Sequence, residues 1–140
     1  MAITRILADT SFLYVIYDRS DKHHEQTREI INAGQIEIVL PDVVLGEALY
    51  LLKARIGIHG VVKCLNGLVT AQVPLEPITP IDLLRIREIT IIYADAQLDF
   101  VDCCIMALAE RLNITQIFTF DHRDFSIFRP KHCDYLELLP

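Results

Sequence analysis

The sequence predicts an α/β fold with a central, mostly parallel sheet of four to five strands and helices on both faces. Three observations carry this. Short apolar, β-branched runs recur along the chain, each too brief for a helix. Between them lie longer segments with apolar residues three and four apart. Turn and cap residues stand at the junctions, among them Asp9-Thr10-Ser11, Gly34, Pro41, Gly57 and Pro80. Such alternation suits parallel strands, because each crossover helix covers the sheet it connects.

The elements follow in order. Ile3 to Ala8 reads as a buried strand, and Asp9-Thr10-Ser11 offers N-cap residues to a helix beginning near Phe12. Tyr17 to Asp21 is a polar break. His23 to Ala33 reads as an exposed amphipathic helix stopped by Gly34, with His23 and His24 expected on the surface. Gln35 to Leu40 is a second strand, ended by Pro41 with Asp42 as cap. Val43 to Ile56 has helical spacing, with Val44, Leu45, Ala48, Leu51 and Leu52 on one apolar face. His59 to Thr70 is a further helix, and Gln72 to Leu75 a third strand. Pro80 suits the first turn of a helix from Ile81 to Tyr93. Phe100 to Asn113 is apolar nearly all round and is expected to be central. Thr115 to Phe120 is a fourth strand, Asp121 to Phe128 a turn with a short helix, and Cys133 to Leu138 an edge strand.

Composition bounds the reading. A chain of 140 residues with 52% hydrophobic content suits one domain over residues 1–140. A chain of this size can bury roughly 70% of its unfolded surface without disulfide or metal staples. Disorder is excluded on the same ground. Thirteen Lys and Arg against nineteen Asp and Glu leave a net charge of −6, which speaks against broad electrostatic attraction to nucleic acid. The four cysteines, Cys64, Cys103, Cys104 and Cys133, form no CxxC pair, and reduced thiols in a cytosolic protein are expected. Neither a signal peptide nor an apolar run of about 18 residues is evident, so a cytoplasmic protein without a membrane span is expected.

The acids carry the chemistry. In parallel sheets, ligands bind beyond the carboxyl ends of the strands. Asp9 directly follows the first strand and Asp121 the fourth. Were those strands neighbours, their backbones would lie roughly 5 Å apart at one edge. Glu47 and Asp102 stand inside otherwise apolar helical patterns, where an unpaired carboxylate needs a cation, hydrogen bonds or solvent. Each has an ordinary explanation as well. Asp9 can be only a cap, Glu47 can point outward, Asp102 can be solvated, and Asp121 can merely form a turn. Together they would supply four hard oxygen ligands, which suit Mg²⁺ or Mn²⁺.

The motifs then show a resemblance. Ile6 to Ser11 (ILADTS), Pro41 to Ala48 (PDVVLGEA), Leu98 to Leu112 (LDFVDCCIMALAERL) and Phe118 to Phe125 (FTFDHRDF) resemble, in order and spacing, the motifs of PIN domains and specifically of VapC-type toxins. The resemblance spans roughly residues 5 to 137. It implies a PIN-like three-layer α/β/α fold and a Mg²⁺-dependent ribonuclease, the toxin of a toxin–antitoxin pair. It implies Asp9, Glu47, Asp102 and Asp121 as the catalytic, metal-binding quartet, supported by Thr10, Ser11 and Thr119. Asp99 and Asp124 are further candidates for metal. The expected partners are an RNA substrate, a cognate antitoxin and a second copy in a homodimer.

In that reading a metal-activated water attacks phosphorus, and no side chain need be the nucleophile. Lys53, Arg55, His122 and Arg123 are candidates for gripping RNA, with solvated surface as their ordinary alternative. Phe12 to Tyr17 and Val44 to Ile56 are candidates for a groove that takes a partner helix, with core packing as the alternative. Two other classes stand beside the nuclease. One is a non-catalytic PIN-fold interaction module. The other is a phosphatase using Asp9 as nucleophile, which Ser11 disfavours because it stands where a second Asp is wanted. Removing the four proposed ligands from the count leaves a charge of −2, so the acidity that argues against nucleic acid is in good part the proposed metal site itself.

Overall fold

The structure is a computed structural model that describes residues 3–140, leaving Met1 and Ala2 outside it. Five strands, β1 (Thr4–Ala8), β2 (Ile36–Pro41), β3 (Leu75–Glu76), β4 (Gln116–Phe118) and β5 (Glu137–Leu139), form one sheet in the order β3-β2-β1-β4-β5. Every pairing is parallel, so the expected sheet is realised in full. Strand β1 is central. It pairs with β2 from Thr4↔Ile36 to Leu7↔Val39 and with β4 at Leu7↔Ile117 and Ala8↔Phe118. The chain moves outward from β1 through β2 to β3, then returns to the other side of β1 at β4. That reversal opens a crevice at the carboxyl ends of β1 and β4.

Among the described residues seven α-helices surround the sheet: α1 (Thr10–Ile16), α2 (His24–Ala33), α3 (Asp42–Arg55), α4 (Ile58–Ala71), α5 (Pro80–Ile92), α6 (Phe100–Leu112) and α7 (Arg123–Ile127). No described helix is long and apolar enough to cross a membrane. Helix α6 is the central one, as its composition predicts: Asp102 to Ala109 are all buried. Leu7, Phe12, Val44, Ala48, Leu52, Ile105, Leu108 and Ile117 meet in the core, where each large side chain removed from water contributes about 1.5–3 kcal/mol.

Several boundaries differ from the sequence reading, for local reasons. Helix α1 begins at Thr10 because Asp9 itself is the cap, its carboxylate accepting the Thr10 N–H. Pro41, not Asp42, occupies the N-cap of α3. Gln72 closes α4 in a left-handed conformation (φ 52°), which delays β3 to Leu75. Asn113 closes α6 in the same way (φ 55°) and so lies beyond it. These are side chains that tolerate left-handed backbone to different degrees, and helix closure selected the position.

Of the segments Phe12 to Tyr17 and Val44 to Ile56, most apolar side chains are core, while Tyr14, Val15, Glu47, Leu51 and Arg55 also line a cleft. Phe12, Leu13, Tyr14, Val15, Val44, Ala48 and Leu52 are buried in the core, and the two segments pack on each other as α1 against α3. Apolar surface is exposed elsewhere: Ile58, Val62, Leu65 and Val69 along α4, and Ile81, Leu84 and Ile91 along α5.

Polar contacts tie α5 to α6. Arg85 grips Glu110 with two hydrogen bonds of 2.7 and 2.9 Å, and Glu110 also accepts the Lys131 N–H at 2.8 Å. Burial by itself raises the Glu110 carboxyl, but the bonds from Arg85 and Lys131 outweigh it and hold the group below the usual carboxylate range. A lowered folded-state pKa stabilises the fold above the unfolded value of about 4.3, and this stabilisation is lost as pH falls through the folded value. Glu110→Gln is therefore expected to destabilise the protein by about 1–2 kcal/mol at pH 7. The difference from wild type should shrink steadily below about pH 4. Urea denaturation at pH 7 and at pH 3.5 checks this; a gap independent of pH would contradict it.

Candidate active site

The crevice at the carboxyl edge of β1 and β4 is a cleft of about 570 Å³. Seven carboxylates line it: Asp9, Asp21, Glu47, Asp99, Asp102, Asp121 and Asp124. Two cations, Arg55 and Arg123, share the wall. All four members of the quartet are thus brought together, with both further candidates beside them.

Asp9 sits where β1 ends and α1 begins. One carboxylate oxygen caps α1 at 2.7 Å from the Thr10 nitrogen, and the other accepts the Thr119 hydroxyl at 2.8 Å. Burial pushes its pKa up to about 6 against the pull of those two bonds, and the charges of Glu47 and Asp121 push the same way. So Asp9 is both a cap and a member of the acidic cluster. Asp102, in the first turn of α6, is only 7% exposed. Burial raises it to about 9, helped by the Asp9 charge, by contact with the Asp124 carboxylate and by Asp99. Asp102 is thus buried and not solvated, and half-buried Glu47 lines the cleft beside it.

The remaining acids have local roles too. Asp121 accepts the Arg123 N–H in a turn, yet still faces the cleft. Asp99 is the N-cap of α6, bonded to the Val101 nitrogen at 3.1 Å. Asp124 is buried instead of being a solvated turn residue. It accepts the Asp99 N–H at 3.0 Å and the Arg123 guanidinium at 2.8 Å.

A hydroxyl knot holds β4 to α1. Thr119 is fully buried, donates to Asp9 and accepts the Asp121 N–H at 3.0 Å. Ser11 lies 3.3 Å from the Thr119 hydroxyl and accepts the Phe120 N–H at 2.9 Å. Thr10 lines the same cleft, and its hydroxyl is buried and without a hydrogen-bond partner among the described residues.

The cation candidates divide. Arg55 lies over the Tyr14 ring, 5.0 Å from its centroid, and Arg123 also bonds the Ala96 carbonyl. Both line the cleft. Lys53 and His122 are exposed and lie outside its wall. The sequence reading missed His23, which is half-buried, lines the cleft and stacks on Phe120 with ring centroids 4.3 Å apart. It also missed Tyr14, Asp21, Gln97 and Phe120. Two adjacent histidines beside a polar break carried no spacing signal that would have found them.

The donor set fits a hard divalent cation. It is all oxygen, burial opposes the ionisation of Asp9 and Asp102 within it, and Thr10 beside it has an unpartnered buried hydroxyl. It is an open cleft, not a cage. Among the described residues no three His, Cys, Asp or Glu side chains converge tightly enough to chelate an ion alone. An ion that keeps several waters, as Mg²⁺ does, suits such a surface.

A parallel five-stranded sheet with an acidic cleft at its switch point defines the class. The PIN domain family model matches residues 6–129, and the chain belongs to that family. Among its relatives, it is 26% identical over 125 residues to Ribonuclease VapC26 of Mycobacterium tuberculosis, covering 89% of this chain and 93% of the relative. Its fold matches crystal structures of M. tuberculosis VapC20, a sarcin–ricin loop cleaving toxin (TM-score 0.79, 23% identity, 91% of this chain and 98% of that one). It also matches VapBC2 of Rickettsia felis bound to a promoter DNA fragment (TM-score 0.69, 13% identity, 96% and 97%). A Klebsiella pneumoniae toxin–antitoxin complex aligns as well (TM-score 0.65, 16% identity, 86% and 90%).

Proposed function

We propose that this protein is a Mg²⁺- or Mn²⁺-dependent ribonuclease and the toxin of a toxin–antitoxin pair. The observation that carries the reading is the convergence of Asp9, Glu47, Asp102 and Asp121 on one cleft, with Asp9 and Asp102 buried and opposed to ionising. Such an arrangement lowers stability unless a cation is to be bound. Similarity to Ribonuclease VapC26 supports the same reading.

Asp9, Glu47, Asp102 and Asp121 would hold the ion, with Asp124 and Asp99 beside them. Bound there, Mg²⁺ would supply Lewis-acid polarisation of a phosphodiester and a water acidic enough to attack it. Thr119 fixes one oxygen of Asp9, so that carboxylate presents itself in one orientation. Arg55 and Arg123 place positive charge on the rim, where a phosphate of the RNA would be oriented. With only those two cations, affinity for RNA should be modest and depend on shape and on the metal.

The reading includes an antitoxin that covers the cleft and a homodimer. Solved toxin–antitoxin complexes of the same fold support the first. The apolar side chains left exposed on α4 and α5 provide surface for protein contacts.

Purified, partner-free chain is expected to cleave structured RNA in Mg²⁺ and to stop when EDTA is added. Asp9→Asn and Asp102→Asn should each lower the rate by at least about 100-fold, since each removes a ligand charge. Equal cleavage by all three proteins would refute the assignment. A folded wild-type chain that cuts no RNA would favour a non-catalytic interaction module.

A further inference from the structure

A run of aromatic rings leads from the core to the mouth of the acidic cleft. Phe118 of β4 stacks on Phe12 of α1, with centroids 4.3 Å apart and planes 9° apart. Phe12 lies 6.3 Å from Phe120 at 19°. Phe120 in turn stacks on His23, 4.3 Å away at 12°. Phe12 and Phe118 are buried, whereas Phe120 and His23 are half-buried and line the cleft. His23 is the last ring of the series.

The backbone that carries both outer rings is hydrogen-bonded within the site. Phe120 lies between Thr119, which bonds Asp9, and Asp121, and its own N–H is bonded to Ser11. The His23 backbone N–H donates to Asp21 at 2.8 Å. The His23 side chain makes no cap bond to α2, so nothing in the helix requires this ring. The ring is half-buried in a cleft lined by seven carboxylates together with Tyr14, Val15 and Leu51. A flat ring packed on one face and presented at a cleft mouth is what a nucleobase stacks on, and stacking tolerates any base.

We propose that His23, backed by Phe120, is a base-stacking platform that positions a single-stranded nucleotide of the substrate next to the acidic quartet. The inference rests on the ribonuclease reading and names a positioning residue for it. The residue acts through its ring face and not through its charge.

The test measures binding of a short, fluorescently labelled single-stranded RNA to full-length protein carrying Asp9→Asn, which silences cleavage. His23→Ala should weaken binding about 10-fold, and His23→Phe should restore it. With an RNA of the same length that carries abasic sites, the His23→Ala variant and its His23 parent should bind equally. In the cleavage-competent protein, His23→Ala should raise KM more than it lowers kcat. The inference is overturned if His23→Ala binds as wild type does, if Phe fails to rescue, or if abasic RNA still separates the variants. Melting temperatures of both variants show whether a loss reflects folding instead; a loss that tracks melting temperature and not base content also overturns it. Wild-type cleavage with unaltered His23 variants would leave the ribonuclease reading standing, whereas wild-type protein that neither binds nor cuts RNA would remove both.

Discussion

Asp102→Asn is expected to raise the melting temperature in EDTA while it abolishes metal-dependent cleavage. Asp102 is buried near Asp9 and against Asp124, which pushes its pKa up to about 9. The sign follows from linkage. An acid whose folded pKa lies above its unfolded value of about 3.9 destabilises the fold at any pH above that unfolded value. The destabilisation grows as pH rises and becomes complete only above the folded value, near 9. Asparagine keeps the shape and removes the charge. We therefore expect a gain of several kcal/mol at pH 8 and little at pH 4.5. For a chain of this length that corresponds to roughly 10 °C or more at the higher pH. Thermal melts of both proteins across this range check it. A variant less stable than wild type at pH 8, or a pH-independent gap, would contradict the account. Stability and function are opposed at this residue, as in other sites that gather like charges.

Thr119→Val should weaken both the site and the fold. Valine matches threonine in shape, so packing around this fully buried residue is kept. What disappears is the hydroxyl that donates to Asp9 and accepts the Asp121 N–H. Two polar groups then lose a partner, at about 1–3 kcal/mol in total stability. The Thr119 bond also pulls the Asp9 pKa down from where burial would place it. Without it, Asp9 should ionise only at a pH above its present value of about 6. The cleavage profile should therefore move to higher pH, and the rate near pH 7 should fall by about 10–100-fold. Thr119→Ser keeps the hydroxyl and should retain the wild-type pH profile. A valine variant that loses stability without any shift of that profile would show that Thr119 acts only in packing.

Much of this site was legible before any coordinates. Asp9 and Asp121 each follow a strand, and ligands gather at the carboxyl edge of parallel sheets. Glu47 and Asp102 break apolar patterns, and a carboxylate in such a place has either a partner or a task. The residues that escaped are those whose meaning depends on neighbours distant in sequence. His23 gains its place only because Phe120 arrives beside it from β4. Asp124 was legible as a candidate, but its burial was not, because it depends on the start of α6 closing over it through the Asp99 N–H. Lys53 lies in the same helix as Glu47, but the helical turn directs it away from the cleft while Arg55 lines it.

Local chemistry decided the rest of what the sequence could determine by itself. Hydrophobic period, caps and proline placement set the number, type and order of the elements, because these depend on residues within a few positions of one another. Tertiary structure alone decided that β4 lies next to β1, and therefore that Asp9 and Asp121 share one edge. It alone decided that the apolar faces of α1 and α3 are largely spent on each other. It also decided how strongly the acids resist ionisation, since that depends on burial and on charges contributed by four separate segments. Strand order and desolvation are properties of the assembled chain. The charge of −6, read as a simple excess of acid, becomes intelligible only once seven of those carboxylates are seen around a single cleft.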